Sequence, residues 1–180
     1  TIGGNLCTAS PAGDSIPCLM TLNAEIELAS HRGVRRLPLN EFLTGPRQTA
    51  CAPDELVTAV YVPSDAETGV GGFEKLGARR YLVISIAMTA ARLSIADGRI
   101  GDAAISVGAC APVAVRLTEL EAGLRGMACD MAGNFIRNRR SGIMAALSPI
   151  DDVRGTAGYR RDAAAEIVAR LVERLCGEFG

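Results

Sequence analysis

The chain is short of nearly everything that would tie it to a charged partner. Its formal net charge is −1, so no field of one sign draws it to nucleic acid or to an anionic membrane. No apolar run approaches the ~18 residues that span a bilayer. No cationic segment followed by an apolar one opens the chain, as a signal peptide would. An initiator methionine is absent as well, and the sequence begins inside a glycine-containing stretch, so the expectation is a fragment or a processed piece. None of the six cysteines (Cys7, Cys18, Cys51, Cys110, Cys129 and Cys176) stands two to four residues from another. That removes the paired spacing of zinc and iron–sulfur sites. Without a secretion signal, the expected state is reduced and mostly buried thiols in a cytoplasmic protein. Histidine and lysine occur once each, as His31 and Lys75, against eighteen arginines. His31 falls in a turn, where solvent exposure rather than general-base work is expected.

What is present suffices for a packed interior: 48% of the 180 residues are hydrophobic, enough for one medium domain or two small ones. The stretch of greatest interest is Thr1–Ile2–Gly3–Gly4–Asn5, followed by Ala9–Ser10–Pro11–Ala12–Gly13–Asp14. It reads as a strand end, a double-glycine turn and a polar loop closing on a carboxylate. Glycines at such a turn let a ligand approach the backbone, and successive N–H groups form a concavity suited to phosphate or carbonyl oxygens. Asn5 adds an amide that both donates and accepts. Asp14 offers an acceptor for a sugar hydroxyl, or alternatively caps a helix.

Along the chain, Asp14–Leu22 suits a short helix, and Ala24–Ala29 alternates as a half-buried strand does. His31–Arg32–Gly33 turns the chain back into a strand over Val34–Leu37. A short helix at Pro38–Leu43, a loop from Gly45 to Pro53 and a strand over Asp54–Val62 follow. Ser64–Gly72 is acidic and glycine-rich without apolar anchors, and is expected to be a linker. Beyond it, an extended segment from Ile84 to Ile95 meets Asp97–Gly98, a strong hairpin signal, with Ile100–Ala109 as the returning arm. Three helical candidates then appear: Leu117 to Leu124, Met131 to Leu147, and a stripe through Ala164, Ile167, Val168, Leu171 and Leu175 with Gly177 as its stop. Asp151–Asp152 reads as an acidic cluster at a helix N-terminus rather than a metal pair. The pairs Arg79–Arg80, Arg139–Arg140 and Arg160–Arg161 read as solvated faces or subunit contacts. The second unit is therefore a small antiparallel sheet covered by three helices, an α+β arrangement.

Seven stretches carry a resemblance. They are TIGGN, ASPAGD, Gly45–Thr49, Pro53–Leu56, Phe73–Arg80, Val107–Val113 and Pro149–Gly155, in that order. Together the chain resembles the FAD-binding medium (M) subunit of the molybdenum hydroxylases, the family of xanthine dehydrogenase and aerobic carbon monoxide dehydrogenase. The resemblance implies that residues 1–66 are the second half of a vanillyl-alcohol-oxidase-type FAD-binding domain. Residues 70–180 would be a CO dehydrogenase flavoprotein C-terminal domain. The family's first glycine-rich FAD loop has no counterpart here, so the chain would hold half a cofactor site at most. Matched one at a time, Thr1, Ile2, Gly3, Gly4 and Asn5 correspond to the second FAD loop. Cys7 falls near the flavin ring, where a thiol is open to oxidation. Asp14 matches a cofactor-bonding carboxylate, Val57 a residue meeting the flavin through its main chain, and Lys75 a lysine beside the ring. Tyr81–Leu82–Val83 departs from the family pattern, so no role is carried into that loop.

The residues themselves offer no general base, nucleophile or metal ligand set, which suits a protein whose cofactor carries the chemistry. The family implies an electron-transfer subunit partnered by a molybdopterin-containing large subunit and a 2Fe–2S small subunit. Its FAD would take electrons from the iron–sulfur clusters and reduce NAD⁺, oxygen or a quinone-type acceptor. Two alternatives stand beside this: a non-catalytic docking fragment without flavin, and a different FAD enzyme such as an enolpyruvyl-glucosamine reductase.

Overall fold

The computed structural model describes residues 1–179 and shows two hydrophobic cores. Helix α1 (Ile2–Thr8) and helix α2 (Ser15–Thr21) open the chain, followed by strands β1 (Glu25–Ser30) and β2 (Gly33–Pro38) and the one-turn helix α3 (Leu39–Phe42). The short strands β3 (Leu43–Gly45) and β4 (Gln48–Thr49) form a small ladder that runs from the end of the expected helix into the expected Gly45–Pro53 loop. Strand β5 (Leu56–Tyr61) completes an antiparallel sheet of order β2–β1–β5. The alternation expected of β1 holds: Ile26 and Leu28 are fully buried while Glu25 and Glu27 lie at the surface edge. The first core forms where these two side chains meet Leu6, Ile16, Met20 and Phe42.

The opening stretch corrects one expectation. Thr1–Asn5 is a helix start rather than a strand end and turn: the Thr1 Oγ1 accepts from the Gly4 N–H at 3.0 Å, and the Asn5 N–H donates to the Thr1 carbonyl at 3.1 Å. Threonine at the N-cap satisfies a first-turn donor that has no partner in the helix, and this outweighs the low helix propensity of two glycines.

The expected linker is also more ordered than its composition implied. Ser64–Glu67 forms a 3₁₀ turn, and strand β6 (Val70–Leu76) already includes Gly71 and Gly72. Gly72 serves packing: a Cβ there would come within 2.7 Å of the Leu171 side chain. Strands β7 (Ala87–Ala96), β8 (Arg99–Gly108) and β9 (Val115–Arg116) complete an antiparallel sheet of order β6–β7–β8–β9. The hairpin at Asp97–Gly98 forms as expected, with both residues at positive φ (51° and 68°), the requirement of a two-residue turn between twisted strands. The strand begins at Ala87 rather than Ile84, and the Ser85 and Ile86 carbonyls before it accept from Arg154 and Arg160.

Helices α4 (Thr118–Leu124), α5 (Cys129–Asn138), α6 (Arg140–Ala145) and α7 (Ala157–Phe179) follow. The Met131–Leu147 candidate is two helices, broken at Arg139 (φ −106°, ψ 13°), with Ile136 and Ile143 buried on either side of the break. Gly177 does not end α7, which runs on to Phe179. The expected apolar stripe of α7 packs on one face of the sheet, Leu171 and Leu175 against Ala91, Leu93 and Ile105. Asp151 behaves as the helix-start reading required, its Oδ1 accepting from the Ala157 N–H at 2.5 Å. Arg160 overturns the surface reading of the arginine pairs: it is 1% exposed.

The opposite face of β7–β8 receives α2. Met88 pairs with Gly108, Ala90 with Ser106 and Arg92 with Ala104, a surface of small side chains on which a helix can lie close. A Cβ on Gly108 would stand 2.4 Å from Met88 Cε and 2.7 Å from Pro17 Cγ. The join is reinforced at the C-terminal end of α2. There the Met20 carbonyl accepts from Arg116 Nη1 at 2.7 Å and the Thr21 carbonyl from Arg92 Nε at 3.1 Å, cations where the helix dipole favours them. Arg116 is held in turn by both oxygens of buried Glu121 at 2.7 and 2.9 Å. Because Pro17 cannot swing aside as Met88 can, Gly108→Ala is expected to cost about 1–3 kcal/mol through overpacking. Thermal unfolding reads the loss as a lower Tm, and an unchanged Tm would refute this close approach.

Candidate functional site

The join between the two units brings together residues far apart in sequence. Asp14 takes the N-cap position of α2 yet makes no capping bond. Its carboxylate turns across to the second unit instead. Lys75 Nζ, near the end of β6, lies 2.6 Å from Asp14 Oδ2, and Ser85 Oγ donates to Asp14 Oδ1 at 2.7 Å. A cap worth about 1 kcal/mol is forgone for a charge-assisted bond and a hydroxyl bond to another domain element. The Asp14 side chain remains 47% exposed and that of Lys75 25%. Each carboxylate oxygen therefore keeps a lone pair for an additional donor.

The loop feeding Asp14 is set by its own turns. The Gly13 N–H donates to the Ser10 carbonyl at 2.9 Å, and the Asn5 Oδ1 accepts from Ser15 Oγ at 2.6 Å. Asn5 thus spends its oxygen on the protein and keeps its amide nitrogen without a partner among the described residues. At the start of α1 the Ile2 and Gly3 N–H groups precede the first intrahelical bond, and a Cβ on Gly3 would meet nothing within 4 Å. Ile2 is exposed.

The other expected site residues are placed as follows. Cys7 is exposed on the last turn of α1. Val57 lies on β5, half-buried against the first core and opposite Leu28 in register. Thr1, Ile2, Gly3, Gly4, Asn5 and Asp14 share the α1–α2 end of the first unit, and Lys75 joins them from the second.

The segment between β6 and β7 returns to the site at Ser85. Within it Arg79 donates to the Leu82 carbonyl. Tyr81 and Leu82 are exposed. Behind Ser85 stands a cluster that the sequence did not mark. Asp152 accepts from Arg154 through both oxygens, Oδ2 at 2.6 Å from Nη2 and Oδ1 at 2.8 Å from the backbone N–H. Arg154 Nη1 donates to the Ser85 carbonyl at 3.2 Å. These side-chain and backbone bonds from Arg154 hold the Asp152 carboxyl at a pKa of about 2. Ser85 and Arg154 were missed because no spacing announces a hydroxyl or guanidinium that acts across about 70 residues of chain. Pro149–Gly155 was the nearest signal.

The geometry defines a class, an α+β chain with two packed cores and a partly exposed polar cluster, Asp14 with Lys75 and Ser85, where they meet. Residues 1–65 match the FAD binding domain in molybdopterin dehydrogenase, and residues 73–175 match the CO dehydrogenase flavoprotein C-terminal domain. The chain belongs to the family of FAD-binding medium subunits of the molybdenum hydroxylases. It is 32% identical over 173 residues to the nicotine 6-hydroxylase medium subunit of Paenarthrobacter nicotinovorans, covering 96% of this chain and 59% of that one. It is 31% identical to the carbon monoxide dehydrogenase medium chain of Afipia carboxidovorans, covering 97% and 59%. Among solved structures it is similar to Cu,Mo-CO dehydrogenase (TM-score 0.88, 30% identity, 98% of this chain and 61% of that one). Quinoline 2-oxidoreductase from Pseudomonas putida 86 is also similar (TM-score 0.85, 25% identity, 99% and 61%). The chain thus spans about three-fifths of the length of these relatives.

The residues fit one side of an FAD. The free lone pairs of Asp14, the Asn5 amide nitrogen and the first-turn N–H groups beside side-chain-free Gly3 supply the acceptors and donors that a polar dinucleotide needs. No group of residues suited to a metal ion occurs among the described residues. Among them no helix is long and apolar enough to cross a membrane.

The bonds on Asp152 carry a pH consequence. Its folded pKa of about 2 lies below the ordinary value of 3.8. Its contribution is therefore complete above about pH 4 and is lost as pH falls through about 2. Asp152→Asn is expected to be less stable than wild type at neutral pH, the gap closing by pH 2. Acid-unfolding curves by circular dichroism check this, and a gap of constant size down to pH 2 would contradict it.

Proposed function

We propose that this chain is the C-terminal portion of an FAD-carrying electron-transfer subunit of a molybdenum hydroxylase. It would work in the cytoplasm with a molybdopterin-containing large subunit and a 2Fe–2S small subunit. The observation that carries the reading is the Asp14–Lys75–Ser85 cluster, a polar, accessible site assembled from both units and without a nucleophile or metal set of its own. The chemistry that FAD supplies in such a subunit is electron transfer from iron–sulfur clusters to NAD⁺, oxygen or a quinone-type acceptor.

The chain's own residues bind and orient. On this reading the flavin half-domain ends near residue 66 and the C-terminal domain starts near residue 70, so Asp14 and Lys75 reach the cofactor from opposite sides of the division. Thr1 fixes the first turn of α1 by accepting from Gly4, and the backbone of Ile2 and Gly3 presents donors with no side chain at the two glycines. Asn5 adds its amide nitrogen. Asp14 accepts from a cofactor hydroxyl through a lone pair that Lys75 and Ser85 leave free. Cys7 borders the site from the exposed end of α1, and Val57 from β5 through its main chain. Lys75 places an ammonium that favours added negative charge on a bound ring, and the adjoining Asp14 carboxylate tempers that field.

The full subunit isolated from its native source should show two flavin absorption bands and release FAD on denaturation. A colourless full-length subunit would overturn the reading. In the same protein, Asp14→Ala or Lys75→Ala removes a charge-assisted bond worth about 1.5–3 kcal/mol. FAD retention is then expected to weaken about ten- to a hundredfold with the fold intact by circular dichroism. Either variant holding FAD as tightly as wild type would refute the site assignment.

A further inference from the structure

Beneath the site lies a buried guanidinium whose bonds all run to the segments that shape it. Arg160, on the first turns of α7, is 1% exposed. Its Nε donates to the Ile86 carbonyl at 3.1 Å and its Nη1 to the Ile150 carbonyl at 2.8 Å and to Asp152 Oδ2 at 3.3 Å. Its Nη2 donates to the Ala109 carbonyl. Two routes lead from there to Asp14. In the first, Asp152 orients Arg154, Arg154 holds the Ser85 carbonyl, and the Ser85 hydroxyl donates to Asp14. In the second, Ala109, held at φ 63°, donates its N–H to the Pro11 carbonyl at 2.8 Å, three residues before Asp14. A guanidinium this deeply buried is costly to desolvate, and an apolar side chain of similar volume would often serve stability as well. The rigid fork of Arg160 reaches three backbone carbonyls and one carboxylate at once, which no apolar side chain can do.

We propose that Asp152, Arg154 and Arg160 are positioning residues for the cofactor. They fix Ser85 and the Pro11–Asp14 loop so that the Asp14 carboxylate faces Lys75 and the flavin in one orientation. The inference rests on the cofactor-site reading above. Arg154 is the member to change, because it touches the route through Ser85 and lies nearer the surface than Arg160, its side chain being 20% exposed.

The experiment uses the full-length subunit in its native complex and measures the FAD dissociation constant, the flavin midpoint potential and Tm. The proteins compared are wild type, Arg154→Met, Arg154→Lys, Ser85→Ala, Asp14→Ala and the Arg154→Met/Ser85→Ala double variant. Arg154→Met is expected to weaken FAD binding about tenfold and to shift the potential, with Arg154→Lys recovering only a small part of the loss, because one ammonium cannot span Asp152 and the Ser85 carbonyl as the guanidinium does. In the Ser85→Ala background the same change is expected to add less than about twofold, since its route is already cut. A full tenfold loss in both backgrounds, or a lower Tm with affinity and potential unchanged, overturns the positioning role. Should Arg154→Met not fold, Arg154→Lys is compared in the two backgrounds under the same criterion. Unchanged FAD affinity in Asp14→Ala would instead overturn the site assignment on which this inference stands.

Discussion

A sheet face built largely of small residues holds the two units together. Helix α2 lies across β7–β8 where Ala90, Ala104 and Gly108 leave room, and Pro17 and Met88 fill what remains. The sheet is thereby buried on both faces, by α7 on one side and α2 on the other. The domain join is thus part of the interior rather than a wet interface that slides. Asp14 begins α2 and Lys75 ends β6, so a fixed α2 is what keeps the carboxylate at 2.6 Å from the ammonium. A looser join would leave both charges solvated separately, and exposed pairs of that kind contribute little.

The local pattern told most of the architecture and little of the site's geometry. Alternation in β1, the Asp97–Gly98 turn and the apolar stripe of α7 are short-range signals, and each forms where its residues predict. The misreadings share a cause. Thr1–Gly4 looked like a turn because glycine permits one, yet a single hydroxyl at the N-cap converts it to a helix. Gly71 and Gly72 looked like linker because they lack side chains, which at Gly72 is what the approach of α7 requires. Arg160 looked like surface because charge is the default there, whereas its partners come from residues 86, 109 and 150–152. The bonds to residues 86 and 109 span 50 or more residues and leave no periodic trace.

The arginine excess acquires a physical role in this setting. Arg92 and Arg116 close the C-terminal end of α2, Arg154 and Arg160 support Ser85 and Ala109, and Arg35 binds Glu55 through two nitrogens. Several of these take two or more acceptors at fixed angles, which a lysine ammonium on a flexible stem does poorly. The carbonyls and carboxylates within reach explain why these positions use arginine.

That division of labour leaves Lys75 as the one side-chain amine in these 180 residues. A reagent selective for primary amines therefore finds a single ε-amino group on this part of the molecule, and it lies at the seam between the two units. Its reactivity becomes a chemical reporter of the seam: slow while the amine is three-quarters covered and bound to Asp14, and faster once α2 leaves the sheet and uncovers it.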